Sequence, residues 1–395
     1  MARTVPQPTA ARPPAPPAET LAALDEARRC TLNLVVHLDD RELERAHSPI
    51  MSPLVWDLAH IAAYEDLWLA HRHAGLELLR PDLAELYDAF ETPRSRRGEA
   101  QLLDAPEARA YMEAVRERVV SALVEVGAGD RAPAKVGVDD HTLAEIGAGD
   151  GILTELVVRH ELQHSETMRQ TLALAGLLPP GEPSLRALTG EKGWLSFPAG
   201  AFTMGAGAEG FAYDNERPRH LARTGAFAIA RRPVTNASWL RFSEGGGYER
   251  REWWSDEGWS WKEEYDITHH PSVGAGHAQA PVCHVSWFEA DAFARAHDAR
   301  LPTEAEWERA AASEQPGLEG VGQVWEWTAS HFGGYPGFTA HPYREYSEVF
   351  FGEDYRVLRG GSWATHPRVA SLTFRNWDYP LRRQIFAGVR LARDV

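Results

Sequence analysis

Cysteine is scarce in this chain. Cys30 and Cys283 are the two in 395 residues, too few for a disulfide framework or a thiolate metal site. Positive charge is also in deficit. The formal net charge of −16 argues against a nucleic-acid binder, because phosphate contacts need clustered Lys and Arg, and against docking on an anionic membrane. No apolar run could span a bilayer, and the opening "MARTVPQPTAARPPAPPAE" has no apolar core for a secretory signal. These absences predict a cytoplasmic protein. The Pro- and Ala-rich opening reads as a disordered leader over residues 1–18, and no internal repeat is present.

A hydrophobic content of 44% with 25% charged residues is that of a globular chain, and the length predicts two domains. Over residues 19–178 the pattern is helical. "LAALDEARRCTLNLVVHL", "SPLVWDLAHIAAYEDLWLAHRHAG", "PEARAYMEAVRERVVSALVEVG" and "ILTELVVRHELQHSETMRQTLALAG" each repeat apolar residues at spacings of three and four. Gly176 suits the last C-terminal cap. Four such helices, with a loop at "GAGDRAPAKVGVDDHT", predict an antiparallel four-helix bundle. "LLPPGEPSLRALTG" reads as a linker, over residues 179–192, because its prolines cannot continue a helix. From 193 to 395, short β-prone pieces punctuated by Gly, Pro and Asn surround one clear helix at "SWFEADAFARAHDA". This half reads as a loop-rich α+β domain whose many tryptophans fill the space between irregular segments.

In "VVRHELQHSETM", His160 and His164 stand at i and i+4, so both imidazoles can grip one divalent first-row ion. Two ligands are too few. His60, among apolar residues of the second helix, is the candidate third, with His47, His71 and His73 as competitors nearer the helix ends. Glu166 lies about 200° around the helix from His164, which assigns it a supporting or structural role. The plain alternative is that these histidines are hydrogen-bonded core residues.

These residues carry a resemblance. "HELQHSETM" together with "SPLVWDLAHIAAYEDLWL" resembles the DinB-like bundle of ergothioneine-pathway sulfoxide synthases of the EgtB type. "GAFTMG", "YDNERPRH", "PVTN", "LPTEAEWERAA", "VWEWT", "RVLRGGSW" and "FRNWDYPLRRQIFAGVRLA" resemble their formylglycine-generating-enzyme-like (sulfatase-modifying-factor) domain, a C-type-lectin-like fold. The resemblance spans nearly all of the chain after the leader. It implies a non-haem Fe(II) enzyme that uses O2 to join a thiol sulfur to C2 of the imidazole of hercynine, giving a sulfoxide. It implies His60, His160 and His164 as iron ligands. Arg94 and Arg97 would take the carboxylates of γ-glutamylcysteine, and Asp378 its ammonium. Gln163, Asn376 and Trp377 would contact hercynine, Trp377 through its π face. Tyr343 would be the proton donor that favours C–S coupling over thiol dioxygenation. Tyr346, also placed at the substrate, and Tyr335 are its alternatives.

The chain departs from the actinobacterial form of the family at two places. Leu162 and Ser165 replace the polar residues of "HEQQHDETM", and only "ASEQPGLEGVGQ" separates "LPTEAEWERAA" from "VWEWT". Both departures are expected near substrate entry. They suit a sister branch, the SenA-type selenoneine synthases, which use a selenosugar. Two further readings compete. A formylglycine-generating enzyme needs a late cysteine pair, and no cysteine follows Cys283. A non-catalytic binding module predicts weak iron binding.

Overall fold

A computed structural model describes residues 17–127, 151–271, 277–313 and 317–395. Residues 1–16 of the expected leader and 128–142 of the expected loop lie outside the described residues, whereas Pro17 already opens a helix. One compact unit ends at Glu182 and another runs from Pro183 to Val395.

The first unit is built on four long helices: α1 (Pro17–Val35), α2 (Leu54–Glu65), α3 (Ala105–Gly127) and α4 (Gly151–Ala175), with α2 continuing as a π-helical stretch over Asp66–His73. Their directions differ from the antiparallel expectation. Arg28 pairs with Glu161, Thr31 with Ser165, and His37 with the Leu177 carbonyl. Contacts that advance together along both chains make α1 and α4 parallel. Glu44 accepts from the Ala105 N–H, and Glu65 pairs with Arg116 further along, so α2 and α3 are parallel too. The cause is the connection between them. Residues 74–104 form a crossover that returns the chain to the end where α2 began, and it buries Leu83, Tyr87 and Leu103.

Four charges at the centre of this unit tie the helices together. Arg28 of α1 bonds Glu65 of α2 at 2.7 Å and Glu161 of α4 at 2.9 Å. Arg116 of α3 bonds Glu65 at 2.6 Å and Glu161 at 3.4 Å. Two guanidiniums facing two carboxylates balance in charge, the condition under which buried ions are tolerated.

In the second unit, β1 (Trp194–Phe197), β4 (Phe227–Ala230) and β9 (Ala392–Asp394) form one antiparallel sheet. β2 (Gly200–Met204) and β3 (His220–Thr224) form a two-stranded sheet. In the third, ordered β7-β6-β5-β8, β6 (Arg356–Arg359) lies antiparallel to β5 (Trp325–His331) and β7 (Asn376–Asp378), while β8 (Ala387–Gly388) runs parallel to β5. The helix expected at "SWFEADAFARAHDA" is α7 (Trp287–Arg295). Three helices of similar length accompany it: α5 (Asn236–Glu244), α6 (Asp256–Glu264) and α8 (Glu304–Ala311). Each starts on a Ser or Thr whose hydroxyl accepts a first-turn N–H, the usual N-cap device.

Three motifs of this half form framework. Glu304 and Glu308 of "LPTEAEWERAA" bond Arg375 and Arg359, and Glu326 of "VWEWT" accepts from Trp307 and takes a bidentate Arg390. Trp307 also packs with Leu195, Phe227, Ile229 and Ala310 in the core. Gly360 of "RGGSW" has φ +96°, and a Cβ there would meet the Trp307 ring at 3.0 Å, so the residue is glycine on both counts.

Candidate metal centre and substrate-binding residues

Among the described residues, His60, His160 and His164 bring three ligand nitrogens within 4.8 Å of one another. Their ring centroids form a near-equilateral triangle with sides of 5.0, 4.5 and 4.6 Å. α4 places His160 and His164 one turn apart, and α2 supplies His60 from across the bundle. The competing histidines are elsewhere. His47 contacts the Glu42 carbonyl at 2.8 Å, His71 contacts the Leu76 carbonyl at 2.7 Å, and neither these nor His73 joins the triad.

Each ring is held in place from behind. His60 Nδ1 donates to the Tyr87 carbonyl at 2.6 Å, and His164 Nδ1 lies 3.0 Å from Asp57 Oδ1. A proton committed to Nδ1 leaves the Nε2 lone pair facing the triad. Trp56 stacks on His60 at 4.5 Å, and Tyr64 stacks on His160 at 3.6 Å. The Nε2 atoms of His60 and His160 are 3.2 Å apart, close enough for one ion to meet both. Burial first, then the neighbouring His164, pushes His60 and His160 well below the usual imidazole range. Three converging imidazoles, with His60 and His164 held at Nδ1 and His160 held by stacking, fit a divalent metal.

Asp57, Tyr87, Trp56 and Tyr64 lie outside the sequence-derived site. Asp57 precedes His60 by three residues, yet its partner is on another helix, so spacing alone does not reveal the pairing. Glu166 is buried, and Gln163 is half-buried on α4 between the two ligands.

Arg94 and Arg97 flank a short helical turn. Arg94 is half-buried. Arg97 is 5% exposed and donates to the Thr92 carbonyl, Ser52 Oγ and the Ala89 carbonyl. Its guanidinium lies 3.4 Å over the Trp56 ring, and burial lowers its pKa to about 9. It also lines a cavity of about 220 Å3, together with Glu44 and Asp104, whose carboxylates oppose an anionic guest.

Leu162 and Ser165 lie within the bundle. Both are 2% exposed, and the Ser165 hydroxyl is 3.0 Å from that of Thr31 on α1. Of the short segment before "VWEWT", residues 317–323 are described: Leu318 and Val321 pack on the core, and the Glu319 N–H donates to the Arg231 carbonyl.

In the second unit, Tyr343, Tyr346, Asn376 and Trp377 come together. Tyr343 and Tyr346 meet edge to face at 6.1 Å, Tyr346 lies 6.4 Å from Trp377, and Phe332 stacks on Trp377 at 4.1 Å. Asp378 accepts from Gln384 at 3.3 Å and faces Arg382 at 3.8 Å. Tyr335 stands apart, 6% exposed beneath Arg375, its hydroxyl without a hydrogen-bond partner.

Comparison with known proteins agrees with this architecture. The DinB superfamily profile matches residues 23–168, and that of the Sulfatase-modifying factor enzyme 1-like domain matches 181–320 and 315–395. The chain is 40% identical to the hercynine oxygenase of Mycolicibacterium thermoresistibile, covering 96% of this chain and 95% of that protein. It is 38% identical to the hercynine oxygenase of Mycobacterium tuberculosis, covering 96% and 99%. Against the first, the alignment runs over 449 positions, more than this chain has residues, so the relative carries stretches without a counterpart here. The formylglycine-generating enzyme of Streptomyces coelicolor is 34% identical over only 34% of the chain.

Proposed function

The chain belongs to the hercynine oxygenase family, enzymes of ergothioneine biosynthesis, and on that premise we propose that it joins the sulfur of γ-glutamylcysteine to C2 of the hercynine imidazole at an Fe(II) centre held by His60, His160 and His164. The reaction balances with O2 as the oxidant. The S–H and C2–H bonds break and a C–S bond forms. One oxygen atom ends in the sulfoxide, and the other leaves as water with the two hydrogens. The observation that carries the reading is the three-histidine cluster, its ligand nitrogens within 4.8 Å of one another and two of its rings oriented from behind.

Bound there, Fe(II) would supply the site at which thiol and O2 are activated side by side. The chain's own residues do the rest. Asp57 and the Tyr87 carbonyl keep the ligand rings in their tautomer. The Trp377 indole offers its face to a quaternary ammonium, and Gln163 and Asn376 offer amides to the imidazole and carboxylate of hercynine. Arg94 presents a half-exposed guanidinium to a thiol carboxylate, Arg97 takes part through its remaining N–H groups, and Asp378 takes the ammonium. Tyr343 delivers a proton from a hydroxyl that is neutral at pH 7, and Tyr346 packs beside it.

The test is anaerobic Fe(II) reconstitution, followed by O2 and hercynine with cysteine, γ-glutamylcysteine or a selenosugar, products read by mass. A sulfoxide from γ-glutamylcysteine is expected. Turnover with the selenosugar and with no thiol would replace this donor by the selenium one. Tyr343→Phe should shift product from sulfoxide towards the sulfinic acid of the thiol. An unchanged ratio would remove Tyr343 from the role.

A further inference from the structure

The motif "YDNE" at Tyr213–Glu216 has no part in the chemistry assigned so far, yet it is bonded to both segments that carry that chemistry in the second unit. The Asp214 carboxylate accepts the Ser347 hydroxyl through Oδ1 and the His341 N–H, at a long 3.5 Å, through Oδ2. The Asn215 amide donates to the same Ser347 Oγ at 2.9 Å. Tyr213 stacks on Tyr346 with centroids 4.7 Å apart and planes 3° from parallel. Residues 341–347 are therefore fastened to one turn at both ends, by the long His341 contact at one and by Tyr346 and Ser347 at the other.

The same turn grips the approach to β7. Arg375 Nη1 donates to the Asn215 carbonyl at 2.7 Å, while its other nitrogens bond Glu304. Glu216 accepts from Thr373 at 2.5 Å, and Tyr213 meets Phe374 edge to face. Asp214, Asn215, Glu216 and Ser347 are each 2% exposed or less. A charged and polar cluster buried to this degree costs stability unless its bonds are made; here the Asp214, Glu216 and Ser347 oxygens are bonded, while Asn215 Oδ1 has no partner.

We propose that Asp214 is a positioning residue for the reaction: through Ser347 and His341 it fixes the Tyr343–Tyr346 segment, and so sets how often the tyrosine proton reaches its target. The proposal rests on the reading of Tyr343 as proton donor. It makes Asp214 a determinant of the ratio of coupled product to oxidised thiol, not of substrate affinity.

The experiment uses the full chain loaded with Fe(II), in four forms: unaltered, Asp214→Asn, Ser347→Ala and Tyr343→Phe, with the double variant Asp214→Asn/Tyr343→Phe. Hydrogen exchange of the amides at 341–351 is measured beside product ratio, kcat and KM. Loss of a charge-assisted hydrogen bond should speed exchange in that segment by about tenfold or more in Asp214→Asn. The sulfinic acid fraction should rise, with KM for hercynine unchanged. In the Tyr343→Phe background, Asp214→Asn should add no further change in product ratio, which a general loss of structure would not mimic. Ser347→Ala gives the same readings if the carboxylate substitution fails to fold. A shifted ratio in Tyr343→Phe with an unshifted one in both Asp214→Asn and Ser347→Ala would overturn the proposal. An unshifted ratio in Tyr343→Phe would overturn the reading beneath it. Unchanged exchange at 341–351 in both clamp variants would dispose of the clamp whatever the chemistry does.

Discussion

His164 Nδ1 lies 3.0 Å from Asp57 Oδ1, and that carboxylate is 1% exposed with its second oxygen unpartnered. One helix thus supplies both a ligand, His60, and the group that orients a ligand on another helix. Replacing His60, His160 or His164 by Ala should abolish stoichiometric iron binding with the helical signal retained. Asp57→Asn should weaken metal affinity by about 10–100-fold, the usual cost of losing such a partner. Metal titration of the full chain, with Co(II) as a spectroscopic stand-in, reads both. Full affinity in Asp57→Asn would mean that the carboxylate is only packing.

The same burial makes a prediction about pH. His60 and His160 are held well below the usual imidazole range by burial, then by His164. In the unfolded chain they titrate near 6.5. Above that value neither state holds the proton, and stability is complete. As pH falls below it, the unfolded chain takes up protons that the folded one refuses. Stability should then drop by up to about 1.4 kcal/mol per pH unit for each group. Urea unfolding of chelator-treated protein at pH 7.5 and 5.5 measures this, and His160→Asn should flatten the slope.

The two arginines should separate. Arg94→Ala is expected to raise KM for γ-glutamylcysteine about ten- to a hundredfold, as befits a lost charge-assisted bond of roughly 1.5–3 kcal/mol, with KM for hercynine unmoved. Arg97→Ala should add a loss of stability, because Ser52, Thr92 and Ala89 lose a donor that the fold relies on. Steady-state kinetics beside thermal melts distinguish the two. With a neutral selenosugar as donor, Arg94→Ala should matter far less.

Glu65→Ala should destabilise the first unit by about 3–5 kcal/mol, since Arg28 and Arg116 would lose a shared buried partner. Denaturant midpoints of the full chain, monitored by helical signal, test this.

The three-histidine cluster was legible in the sequence, and the reason is the helix. A period of 3.6 residues fixes which face His160 and His164 share, and an apolar setting marks His60. Direction was not legible. The parallel course of α2 and α3 depends on where residues 74–104 travel, and no local pattern encodes a crossover. In the second half, the caps Thr235, Ser255 and Thr303 were readable signals for α5, α6 and α8, hidden by short helices amid glycine and proline. Glu304, Glu308 and Glu326 read as family markers. That they are counterions for buried arginines emerges only from the packing.

His60 and His160 are one hundred residues apart in sequence, and between them lie the crossover and all of α3. An ion bridging them would act as a reversible staple across that span, absent from the denatured chain because the three imidazoles are then scattered. Each tenfold increase in free metal above the dissociation constant should therefore add about 1.4 kcal/mol to the work of unfolding. Starvation for the ion would remove that staple from every copy at once, so metal supply would govern how long the enzyme survives as well as whether it turns over.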